Sequence, residues 1–189
     1  AFMDKARTAL AGSIGYIDEA VKVEPSAELR EQLERESAGI KNLSGQTQTV
    51  QDGLIGAHKV VEGPIVAAAA SIDQTLSALN VAARASGNNR ILELVDDAYT
   101  NFTNIRVMLR VYNASYQADD GEKAADMLSK FEAVVKGLSS AAMTSEEMKL
   151  AGTFADGFAQ YRQGFADMDG HIKTAVEARA KMGEEAVEL

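Results

Sequence analysis

The chain has 189 residues, a formal net charge of −9, two prolines, and neither Cys nor Trp. The lack of Cys excludes disulfides, thiolate chemistry and Cys-ligated zinc or haem. The acidic balance leaves no basic stripe to displace counterions from phosphates, so nucleic acid is not an expected partner. Ala, Leu, Glu, Lys, Gln and Met, the strong helix formers, dominate. Val and Ile recur at helical spacing rather than alternating, so the expected fold is all-α.

The first predicted helix runs from Phe2 to about Val23, with Met3, Ala6, Leu10, Ile14, Ile17 and Val21 on one apolar stripe. Pro25 breaks it and Ser26 caps the next. That second helix is expected from about residue 27 to 85, carried by a continuous stripe through Leu33, Val50, Val61, Ile72 and Leu79. At 1.5 Å per residue it would be roughly 85 Å long. Between Val61 and Ile65 the stripe steps four after four, a stutter, and it falls on Gly63-Pro64, a natural kink. The apolar run "IVAAAASI" is bounded by Pro64 and Asp73 and is too short for a membrane span. With no signal peptide either, the chain is expected to be soluble and to be a piece of a larger protein.

"ASGNN" is a turn signal. The third helix is expected from about Arg90 to Tyr116, with Ile91, Val95, Ala98, Phe102, Ile105, Met108 and Tyr112 inward. "ADDGEK" reads as a turn, followed by a short fourth helix over about 121–138 with Leu128, Phe131 and Leu138 inward. "GLSSAAMTSEE" reads as a loop ending in a capping box, Thr144 with Glu147 three residues on. The fifth helix, about 145–187, keeps a heptad beat through Phe154, Tyr161, Phe165, Met168 and Met182.

Short loops make neighbouring helices antiparallel. The expected architecture is therefore two stacked antiparallel helical bundles sharing two long helices. Residues 63–167 would form an upper four-helix module. Residues 1–62 with 168–189 would form a lower module of three helices. Its fourth helix would come from residues before Ala1 or from a second subunit.

The stretch "NIRVMLRVYNASYQADDGEKAADMLSKFEAVVKGLSS", with "FADGFAQYRQGFADM" on the returning helix, resembles the helical bimodular type of sensor domain found in bacterial methyl-accepting chemotaxis proteins. The shared features are an Arg-x-x-x-Arg-x-Tyr helix, a short acidic turn, a small helix, and Tyr161 followed by Phe165. The resemblance implies a periplasmic, homodimeric sensor that responds to small anions such as organic acids. It also implies membrane anchorage through segments outside this chain, and a place for the arginine helix at the dimer interface or in the bundle pocket.

Arg106 and Arg110, four apart on one helix, present two guanidinium forks that match a carboxylate bidentately. Tyr99 and Thr103 share their flank, and Tyr161 and Arg162 on the fifth helix are candidates to complete the pocket. Ser71, Thr75 and Asn80 on the second helix are weaker candidates. The competing reading makes the arginine flank a solvated, salt-bridged surface. His58 and His171 fall level on helices two and five and are a speculative metal or pH-sensing pair.

No Gly-rich phosphate loop, G-x-S-x-G or Glu-x-x-His pair occurs, so neither enzymatic activity nor a cofactor is expected. The function read from the sequence is that of a chemoreceptor sensor domain. It would bind a small carboxylate, or a periplasmic binding protein loaded with one, and displace a long helix. The alternatives are the ectodomain of a sensor histidine kinase recognising a binding protein, and a structural helical scaffold.

Overall fold

The computed structural model describes residues 2–188, with side chains over residues 5–184. Five helices make up the described residues, and no strand occurs among them: α1 (Phe2–Val23), α2 (Ala27–Ser86), α3 (Asn89–Ser115), α4 (Ala118–Ala141) and α5 (Ser145–Glu188). The fold is all-α. Met3, at the head of the expected α1 stripe, lies outside the described side chains.

The interior of α2 is not uniform. Val61–Ile65 forms a single π-helical turn with Pro64 inside it. Proline has no N–H to give the preceding turn, and its ring crowds the carbonyl four residues back. Widening the turn by one residue relieves both, and π turns of this kind absorb an added residue. The four-after-four step in the stripe is that added residue.

Two of the sequence expectations need correction. The "ADDGEK" segment is no turn: α4 begins at Ala118, with Asp119 and Asp120 in its first turn, where carboxylates favour the helix dipole. At its other end α4 continues through "GLSS" to Ala141, because Leu138 is fully buried and holds that turn on the core. By hydropathy alone a window of α2 passes a test that core helices of soluble proteins also pass. An 18-residue window of α2 reaches a mean hydropathy of 1.3, apolar and long enough to cross a membrane by length and composition. Only 44% of that window is buried.

The chain divides into two compact units, one of residues up to Gly56 with those from His171 on, the other Ala57–Gly170. The first holds α1 and segments of α2 and α5. Asp18 of α1 accepts from Ser37 Oγ at 2.7 Å and from Lys41 Nζ at 3.1 Å, both on α2. The Ser37 hydroxyl, then Lys41, hold the Asp18 carboxyl below its ordinary range. Gly53 and Gly56 let α5 approach closely, since a Cβ on Gly56 would stand 2.6 Å from the His171 ring. The α1 residues Leu10, Ile14, Ile17 and Val21 are only half-buried.

The second unit has four helical segments and the drier core. Phe102 of α3, Phe131 of α4, and Phe154, Phe158 and Tyr161 of α5 form a linked aromatic cluster with ring centroids 5.0–6.1 Å apart. Such tilted pairs add about 0.5–1.5 kcal/mol each beyond area burial. Tyr112 of α3, 1% exposed, donates from its hydroxyl to Asp169 Oδ1 at 2.6 Å. Burial and that carboxylate push its phenol well above the ordinary range.

At one end of this unit the fully buried carboxylate of Glu147 accepts hydrogen bonds from the Ser86 hydroxyl, Asn88 Nδ2, Met143 N–H and Thr144 N–H. Burial pushes this carboxyl up, but the four donors outweigh it and hold it at about 2. A depressed folded-state pKa stabilises above the unfolded value of 4.5 and loses that contribution as pH falls toward about 2. Glu147→Gln is expected to cost about 2 kcal/mol at pH 7, a gap that narrows steadily between pH 4.5 and 2 in paired urea titrations. Gly121 of α4 lies under the Tyr112 ring, where a Cβ would stand 2.8 Å from Cζ. Gly121→Ala is therefore expected to destabilise by about 1–3 kcal/mol despite its better helix propensity, read from the urea midpoint.

Candidate functional site

In the second unit, α2, α3 and α5 line a half-open cavity of about 210 Å³. Its polar lining is Asp73 of α2, Arg106 and Arg110 of α3, and Tyr161 of α5. Ile65 and Val66, at the end of the π turn, and Leu109 supply apolar wall.

The two arginines are held differently. Arg106 Nη1 donates to Asp73 Oδ2 at 3.0 Å, with both side chains about 40% exposed (38% and 42%). Its guanidinium also lies 5.9 Å from the Phe102 ring centroid, a cation–π distance. Arg110 makes no ion pair among the described residues, and it faces the same cavity. Tyr161 is 1% exposed, and its hydroxyl makes no hydrogen bond among the described residues. Burial raises that phenol to about 12 against the opposing pull of Arg106 and Arg110, so at neutral pH it is a proton-bearing donor. The arrangement offers one committed cation, one uncommitted cation and one uncommitted hydroxyl around a small, half-apolar space.

The structure brings together Arg106, Arg110 and Tyr161. Tyr99 sits beside them: its hydroxyl donates to the Asp73 backbone carbonyl at a long 3.4 Å, and burial and then the Asp73 carboxylate raise its phenol. Thr103 is exposed and donates to the Tyr99 carbonyl of its own helix. Arg162 is not in the cavity; it follows Tyr161 and therefore points to another side of α5, where it pairs with Glu132 of α4. Thr75 donates to the Ser71 carbonyl and Asn80 accepts from Arg84, so neither reaches the cavity. Asp73 is the residue that sequence reasoning missed. A lone acid at the end of "IVAAAASID" was its signal.

His58, in the second unit, pairs with Glu62 of its own helix at 3.2 Å, both exposed; in the first unit the His171 ring packs on Gly56. Among the described residues no group of three His, Cys, Asp or Glu is placed to hold a metal ion.

No family model, curated protein or solved structure matches the chain.

Gly164 of α5 faces the π turn, and a Cβ there would stand 2.7 Å from Ile65 Cγ1, midway along a buried branched side chain. Gly164→Ala is expected to cost about 1–3 kcal/mol, and to cost less when made in an Ile65→Ala background, where Cγ1 is absent. Thermal unfolding of Gly164→Ala, the double variant and the Ile65→Ala control checks this.

Proposed function

We propose that this chain is the extracytoplasmic sensor domain of a bacterial chemoreceptor. Its second unit binds a small carboxylate-bearing ligand, either an organic acid or an amino acid. The observation that carries the reading is the uncommitted Arg110 facing the same pocket as Tyr161, whose ring is buried and whose hydroxyl makes no hydrogen bond among the described residues. A carboxylate would take Arg110 bidentately and accept from Tyr161, the charge-assisted geometry in which a guanidinium is strongest. The family resemblance of the arginine helix supports the same class, along with a homodimeric, periplasmic domain anchored by segments outside this chain.

Binding there would act on α2 directly, because Val61 and Ile65 of the π turn, and Val66 just after it, line the cavity. A ligand shifts a helix only through its different affinity for the two arrangements. Single π turns inside α-helices are frequent at functional sites. Shifts of an Å or so in packed helices are an established switching device.

A thermal-shift screen with organic acids and amino acids tests the proposal. At a hundred times its dissociation constant, a ligand that binds only the native state adds about 2.7 kcal/mol of stability. The expected result is a rise in Tm for at least one carboxylate, absent in Arg110→Ala and reduced in Tyr161→Phe. A carboxylate that stabilises Arg110→Ala as well as the parent would place binding elsewhere.

A further inference from the structure

We infer that the ligand of this cavity is a zwitterion, an α-amino acid with a short apolar side chain, whose ammonium is received by Asp73 and whose carboxylate is received by Arg110. The inference rests on the sensor reading above and narrows it.

The charge count leads to this class. Arg106 and Asp73 form a pair through Oδ2 alone, so Arg106 is engaged while Asp73 keeps an acceptor oxygen. That leaves Arg110 as the one cavity-facing guanidinium without an ion pair among the described residues, enough for a single carboxylate. A second carboxylate would meet Asp73, a like charge in the same wall. Dicarboxylates are therefore disfavoured.

Asp73 also has capacity left over. Arg106 bonds Oδ2, and Oδ1 makes no hydrogen bond among the described residues. An ionised carboxylate accepts through both oxygens. A plain carboxylic acid would leave this acceptor unused, whereas an ammonium supplies the donor it lacks. Around the polar groups, Ile65, Val66, Ala69, Ala70 and Leu109 give an aliphatic wall with no further polar side chain. Cavities near 150 Å³ accept benzene, so about 210 Å³ suits a molecule of about six to ten non-hydrogen atoms. Alanine through leucine fall in that range.

The test is calorimetric titration of the whole chain with matched pairs: L-alanine against propionate, L-valine against isovalerate and isobutylamine, L-leucine against 4-methylpentanoate, with succinate as the dianion. The expected result is that one or more of the amino acids binds, and that its deamino acid and its amine bind about tenfold or more weakly, the worth of one charge-assisted bond. In Asp73→Asn the preference for the amino acid over its deamino acid is expected to vanish. If a deamino acid or succinate binds the parent as tightly as any of the amino acids, the zwitterion inference fails and the carboxylate sensor stands. If no amino acid, carboxylate or dianion binds, both fail. The parent panel alone decides the matter should Asp73→Asn not fold, and a preference that survives in a folded Asp73→Asn removes Asp73 from the role.

Discussion

The second unit hangs on one buried carboxylate. Glu147 caps its own helix through the Thr144 hydroxyl, which accepts from the Glu147 N–H at 3.1 Å, but its side chain does more than a surface capping box requires. It gathers the Ser86 hydroxyl at the end of α2 and the Asn88 amide between α2 and α3. Asn88 in turn donates to the Ala141 carbonyl at the end of α4 and accepts from the Ile91 N–H at the start of α3. Four helix ends are thus fixed by two side chains. A buried charge is tolerated only when it is fully hydrogen-bonded, so the ends must stay together for Glu147 to stay ionised.

That constraint sets the register in which the helices meet. With the ends fixed, Phe102, Phe131, Phe154, Phe158 and Tyr161 fall within ring-packing range, and Tyr112 reaches Asp169 across the same core. Glycines accept the close approaches that follow: Gly121 beneath Tyr112, and Gly164 against Ile65. The cavity lies where α2 widens into its π turn. There Ile65 keeps its place on the core while the neighbouring Val66 stands 56% exposed. A regular α-helix through Pro64 would rotate every residue on one side of it by about 100° relative to the other. Asp73 would then leave the wall it shares with Arg106.

Much of this was legible in the sequence, for reasons that also explain what was not. Periodicity alone gives the helices, because a stripe such as Phe154, Phe158, Tyr161 and Phe165 has no other use than a core. The stutter at Val61–Ile65 announced an irregularity, though its form as a π turn depends on how Pro64 is accommodated. The ends of α4 were misjudged because "DDG" and "GLSS" are turn-like in isolation. Their helical state comes from tertiary burial of Gly121 and Leu138, which local propensity does not record. The Thr144–Glu147 box was readable, but not that Glu147 reaches residues some sixty positions earlier, since nothing local encodes a long-range partner. At the site, Arg106, Arg110 and Tyr161 were found from residue type and spacing. Arg162 was misplaced because adjacency to Tyr161 in sequence is separation by about 100° on a helix.

The two arginines that share a flank do different work, and that difference gives the cavity its character. A surface pair such as Arg106–Asp73, each side chain about 40% exposed, contributes little to stability on its own. Its consequence is positional: it holds Asp73 in the wall and, with the Phe102 ring, keeps the Arg106 fork from turning toward a ligand. Arg110 has no such tether among the described residues, and Tyr161 cannot turn away, because its ring is wedged against Phe102 in a dry core. An untethered cation opposite a fixed donor is an arrangement that suits a small carboxylate. A pair of fixed cations would instead recruit a permanent counterion. On the sensor reading, the acidic chain sets Arg106 beside Arg110 so that the first arginine, by taking one oxygen of Asp73, leaves the second free to answer the ligand.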